Sequence, residues 1–153
     1  GRKPKMMIIT DYPTWKECKA GRMGEGDIGD AIKLALKGAN LNMNDVYITA
    51  LVKCGKEKDE EITNEHIKTF LPFLQKEIEL TSPPVIICLG TKASRTLNPD
   101  LKGSYEEIIG LSTYSKEFDA TLIYGFNPAM LFHRPHLQGE LDKIMLKVAD
   151  VVM

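Results

Sequence analysis

The chain has 153 residues, of which 43% are hydrophobic and 27% charged, with a formal net charge of −1. That is enough material for one ordinary globular core, and the near-neutral balance excludes a globally basic nucleic-acid binder, so any DNA contact must come from a local patch. No apolar run approaches a membrane span, no signal-peptide pattern is visible, and the cysteines Cys18, Cys54 and Cys88 are odd in number and form no CxxC pair, which predicts no disulfide framework and a reducing, cytoplasmic setting.

The first predicted element is a strand over residues 6–10, a short Ile-rich run that stops abruptly at Asp11-Tyr12-Pro13. Residues 27–37 follow with a helical pattern, placing Ile28, Ile32, Leu34 and Leu36 roughly on one side, and Gly38 acts as its stop. A second strand is expected over 46–52. Residues 53–61 form a charged loop, expected to be mobile, whose acidic part, 57–61, reads as a solvated face. The pattern of 63–80 is a long helix with Thr63 or Asn64 as N-cap and with Ile67, Phe70, Leu71, Leu74 and Ile78 at helical spacing; Pro72 inside it should kink or split it. A third strand is expected over 85–89, a short helix over 91–97, a fourth strand over 121–124 and a last helix over 140–152, with Leu141, Ile144, Met145, Val148 and Val151 on one face. Residues 101–118 read as a short hairpin or an irregular excursion. Strands alternating with helices imply a single three-layer α/β/α domain, residues 1–153, around four parallel strands.

In such a sheet the carboxyl edge gathers the loops that bind ligands. Four loops meet there. Asp11 opens the first and is either a turn cap or an acid placed for chemistry. Tyr12, Pro13 and Trp15 beside it either stack on a base or pack their own loop. The second loop follows the strand at 46–52 and begins with Lys53-Cys54. Gly90-Thr91-Lys92 opens a helix whose free N–H groups suit a phosphate, or is a plain structural turn. The fourth loop starts at Asn127-Pro128. Met130, Leu131 and Phe132 are either a short core helix or a wedge that enters a base stack while His133 and Arg134 hold the backbone. His66 and His136 have no metal-ligand spacing, and no metal site is expected.

Several segments in order carry a family resemblance: 45–49 (DVYIT) through Lys53-Cys54, Ile67 through Pro72-Phe73-Leu74, 84–93 (PVIICLGTKA) and Asn127-Pro128-Ala129. The chain resembles the uracil-DNA glycosylase superfamily, closest to its compact bacterial and archaeal branch and to relatives associated with phage DNA polymerases. The resemblance implies a domain that binds DNA across the carboxyl edge of a four-stranded parallel sheet, extrudes a base and hydrolyses its N-glycosidic bond. Asp11 would then position water and Asn127 would stabilise the departing base, the two facing each other across a groove that admits a nucleotide. Gly90, Thr91, Lys92, Met130, His133 and Arg134 would hold DNA.

The pattern also departs from the family. The segment whose aromatic stacks on the base corresponds to Gly26-Asp27-Ile28-Gly29, the amide that reads uracil corresponds to Ala50, and the first-motif glycine is Thr10. Of the iron–sulfur cysteines, Cys54 remains while its partner position is Phe70, so no cofactor is expected; Cys18 and Cys88 read as incidental or core thiols. Two further readings stand beside catalysis: a degenerate fold that binds DNA or a replication protein such as a polymerase, and a small-molecule-binding α/β protein. A monomer is expected.

Overall fold

The computed structural model describes residues 3–54 and 61–152. Most of the charged segment 53–61, including nearly all of its acidic face, therefore lies outside the described residues.

Strand β1 (Met6–Thr10) is buried along its whole length, and so is β3 (Val85–Leu89). Side chains alternate across a strand, so each of these runs feeds both faces of the sheet. Met6, Ile8, Val85, Ile87 and Leu89 enter one apolar cluster, while Met7, Ile9, Ile86 and Cys88 enter another. Helices α2 (Gly26–Gly38) and α6 (Gln138–Val152) close the first layer through Ile28, Ile32, Leu36, Leu141, Ile144, Met145 and Val148. Helices α3 (Asn64–Thr81) and α4 (Thr91–Leu97) close the second through Leu74, Ile78, Ala93 and Leu97. The three-layer arrangement expected from the alternating pattern is thus present.

The sheet differs from expectation by one strand. Its order is β2 (Val46–Ala50), β1, β3, β5 (Ala120–Gly125), β4 (Ser112–Ser115). The four expected strands are parallel, and β4 adds an antiparallel edge on β5. The β4 sequence, Ser-Thr-Tyr-Ser, is polar and only half buried, so it lacked the apolar run by which the others were read. It belongs to the 101–118 excursion, which also holds the short helix α5 (Tyr105–Ile108).

Smaller departures follow the same logic. Pro72 does not split α3, which runs unbroken from Asn64 to Thr81. Its N-cap is Thr63, in a capping box with His66. Leu34 is 60% exposed and Val151 also faces outward, because neither lies on the stripe that meets the sheet. Trp15, expected in the first loop, instead starts a helix, α1 (Trp15–Ala20), opened by a capping box between Thr14 and Glu17. Finally, Cys18 and Cys54 are joined in a disulfide with Cα atoms 5.7 Å apart, which corrects the expectation of unpaired thiols at both positions. Cys88 alone is a buried core thiol, and burial raises its pKa far above the ordinary value.

Candidate functional site

The carboxyl ends of β1 and β3 come together at Asp11. The backbone of this stretch is fixed from the β2 side, where the Leu51 and Val52 N–H groups donate to the Thr10 and Asp11 carbonyls at 2.8 and 3.1 Å. The Asp11 side chain is only 6% exposed. Its Oδ1 accepts the Ala93 N–H at 2.8 Å, and the Lys92 N–H and the Asn127 amide lie near enough to the carboxylate to favour its charged form. The first turn of α4 is therefore satisfied by an acid 82 residues earlier in the chain.

Gly90 makes this docking possible. Its φ is 146°, a backbone conformation that side chains disfavour, and a Cβ there would lie 2.3 Å from Asp11 Oδ1. Glycine at this point leaves room for the acid. Of the helix-start N–H groups expected to be open to DNA, that of Ala93 is taken by Asp11. Burial raises the Asp11 pKa above its ordinary 3.8, against the opposing pull of the two backbone donors, the Lys92 charge and Asn127.

Asn127 reaches the same point from the end of β5. Its Oδ1 accepts the Ala129 N–H at 3.0 Å, which turns the amide nitrogen towards Asp11. The amide nitrogen carries two N–H donors and lies near the Asp11 carboxylate. The acid and the amide are thus brought near each other from distant parts of the chain, and both line one groove.

Space lies instead on either side of Asn127. On one side is a cleft of about 420 Å³ between the first loop and the start of α2, lined among others by Tyr12, Pro13, Trp15, Asp27, Asn127 and Phe132. Trp15 is 71% exposed, and Lys19 lies over its ring at 4.9 Å. On the other side is a wider, more polar groove of about 610 Å³, where Asp11 and Asn127 meet Thr91, Lys92, Arg95, Tyr105 and Met130. The exposed Lys92 and Arg95 give this groove a positive rim.

The remaining expected residues divide. His133 and Arg134 are exposed beyond the 3-10 turn Pro128–Phe132. Met130 is not free to act as a wedge: it packs against the core, and its sulfur accepts the Tyr105 hydroxyl at 3.2 Å. Phe132, 60% exposed at the cleft rim, is the apolar side chain available in that loop. Ala50 is buried, and its neighbours in a separate hollow are Cys18, Lys53 and Cys54, so it does not share the cleft with Asn127. Asp27 is a cleft residue that the sequence did not single out as a binding group; its correspondence with the family's base-stacking position was the available signal.

The residues do not fit an iron–sulfur cluster. The chain has three cysteines, two joined to each other and the third sealed in the core, whereas such a cluster takes four thiolates. No group of metal-ligating side chains assembles among the described residues.

Comparison with known proteins is consistent with this architecture. The profile of the family described as "Uracil DNA glycosylase superfamily" matches residues 1–148. The chain is 32% identical over 152 residues to the DNA polymerase III subunit alpha of Yersinia pestis, covering 99% of this chain but 13% of that protein. It is 29% identical over 145 residues to the type-4 uracil-DNA glycosylase of Pyrobaculum aerophilum, covering 90% of this chain and 73% of that one. The type-4 enzyme of Archaeoglobus fulgidus is 25% identical over 159 residues, with 97% and 77% covered.

Proposed function

Since the chain belongs to the uracil-DNA glycosylase superfamily, we propose that it binds DNA at the carboxyl edge of the sheet and hydrolyses the N-glycosidic bond of an extruded base. The observation that carries this reading is that Asp11 and Asn127, an acid and an amide from opposite ends of the chain, line one polar groove, with Asn127 also lining the neighbouring cleft. The base enters the cleft beside Tyr12 and Trp15, where stacking holds it. The Asn127 amide donates to the departing base. Asp11, on the groove side, orients the water and stabilises positive charge developing on the sugar. Lys92 and Arg95 contact the phosphates, with His133 and Arg134 further along the strand. The domain works as a monomer and holds no resident cofactor.

The test is base release from uracil-, hypoxanthine- and modified-base oligonucleotides. Asp11→Ala is expected to lower release by about 10²-fold or more. The pH profile adds a sign. A raised Asp11 pKa leaves the carboxyl neutral in a window above 3.8, where it cannot act as an anion, so release climbs as pH rises through the raised value. Asp11→Asn flattens that limb. Wild-type protein that releases no base from any of these substrates refutes the catalytic reading.

A second reading is a non-catalytic module that binds DNA or a replication protein. It is favoured by the polymerase relative, in which the matching region is a small part of a much longer chain, and by the hydrogen bonds already engaging Asp11. It predicts DNA affinity that falls steeply with salt, with every base left in place.

A further inference from the structure

Helix α1 carries Trp15 and Lys16, which form one wall of the cleft, yet it has little holding it to the rest of the molecule. Of its six residues only Glu17 is buried. None belongs to either apolar cluster. The Glu17 carboxylate accepts the Thr14 N–H at 2.9 Å and the Gly24 N–H at 2.6 Å, so its bonds stay within the same stretch of chain. The Lys19–Trp15 contact is equally local. Besides the Lys16 stem, which lies against Gly26 at the start of α2, a covalent tie reaches another element among the described residues: Cys18–Cys54, spanning 36 residues to the end of the β2 loop.

The two ends of that bond are unequally anchored. Beside Cys54, the Lys53 ammonium donates to Thr49 Oγ1, the Ala50 carbonyl and Glu77 Oε1 at 2.7, 2.8 and 2.7 Å, which ties the loop to β2 and α3. Cys18 sits on α1 and lines a hollow with Pro13, Met23, Thr49 and Ala50, with no hydrogen bond or ion pair running from its neighbours on α1 to β2 or α3 among the described residues. Cutting the bond therefore leaves the Cys54 side in place and frees the Cys18 side.

We propose that Cys18–Cys54 is a reversible thiol–disulfide site that sets whether the α1 wall of the cleft is ordered. Cys54 is exposed and Cys18 half-buried, so an incoming thiolate attacks the Cys54 sulfur. The Cys18–Cys54 bond breaks, a mixed disulfide forms at Cys54, and Cys18 leaves as a thiolate that takes a proton from water. The second thiol of a dithiol reductant then closes its own disulfide and releases Cys54. Two electrons pass to the protein, and the dithiol is oxidised. Cys88 takes no part, because it is sealed in the core with its thiol held protonated.

Trp15 is the sole tryptophan of the chain, so its fluorescence reports on α1 alone. The experiment compares full-length protein oxidised with glutathione disulfide, reduced with dithiothreitol, and carrying Cys18→Ser. Alkylation and mass measurement count the free thiols in each. On reduction, Trp15 anisotropy should fall. The amides of Cys18, Gly21, Arg22 and Gly24 should exchange about tenfold faster or more, while β1 and β3 keep their protection. Reoxidation restores both, Cys18→Ser behaves as the reduced form without reductant, and Cys88→Ser keeps the response. Unchanged anisotropy and exchange after both thiols are shown to be free would overturn the proposal. So would failure of glutathione disulfide to close the bond, or of dithiothreitol to open it in the folded protein. If Cys18→Ser loses β3 protection as well, the reduction arm decides.

Discussion

The two walls that meet at Asn127 are built by opposite means. The β3–α4 wall is an extension of the core: all five β3 residues, Gly90, Ala93, Ser94 and Leu97 are buried, and the Asp11 carboxylate fills the one gap the backbone leaves. The α1 wall is held by a capping box, one buried glutamate and a crosslink, with no apolar side chain in the core. Packing restores the first wall after any small displacement, because displaced atoms leave voids. The second has no such restoring force. A site with one rigid and one adjustable side keeps its polar centre fixed while its opening changes.

Three substitutions would break or sharpen this contrast. The largest effect is expected at Gly90→Ala, where a Cβ collides with the Asp11 carboxylate and the backbone conformation is strained. A loss of about 3 kcal/mol in denaturant unfolding is expected, from strain together with the Ala93 N–H left without its acceptor. A loss below about 0.5 kcal/mol would mean that the wall yields as easily as α1 does. Glu17→Ala comes next, removing the acceptor for the Thr14 and Gly24 N–H groups. It is expected to cost about 1–2 kcal/mol. Hydrogen exchange should localise the change to residues 14–24; spread into β1 would erase the distinction between the walls. The smallest effect belongs to Thr10→Val. The Thr10 hydroxyl is buried and has no hydrogen-bond partner among the described residues. Replacing it with a methyl of similar shape should stabilise the protein by up to about 1 kcal/mol in thermal unfolding. A clear destabilisation would reveal a partner for that hydroxyl.

What the sequence disclosed follows the same division. Strands β1, β2, β3 and β5 and helices α2, α3, α4 and α6 were legible because burial stamps a period on the chain. Strand β4 and helix α1 were not, because Ser-Thr-Tyr-Ser and Trp-Lys-Glu-Cys-Lys-Ala bury almost nothing. At the site, Asp11 and Asn127 were found by their places at strand ends. That Asp11 would spend its oxygens on the start of α4 was not legible, since it depends on the space left by Gly90, far along the chain. The pairing of Cys18 with Cys54 was hidden for a similar reason: neither spacing nor neighbours mark two cysteines that only the α1 helix brings together.

Asn127 lines both cavities, and its amide lies near enough to the acid to favour the charged carboxylate. The two chambers are therefore wired in series through a single side chain. A guest that draws the amide towards the cleft removes a donor from Asp11, and the carboxylate becomes more basic as a result. Occupancy on one side would then alter proton affinity on the other.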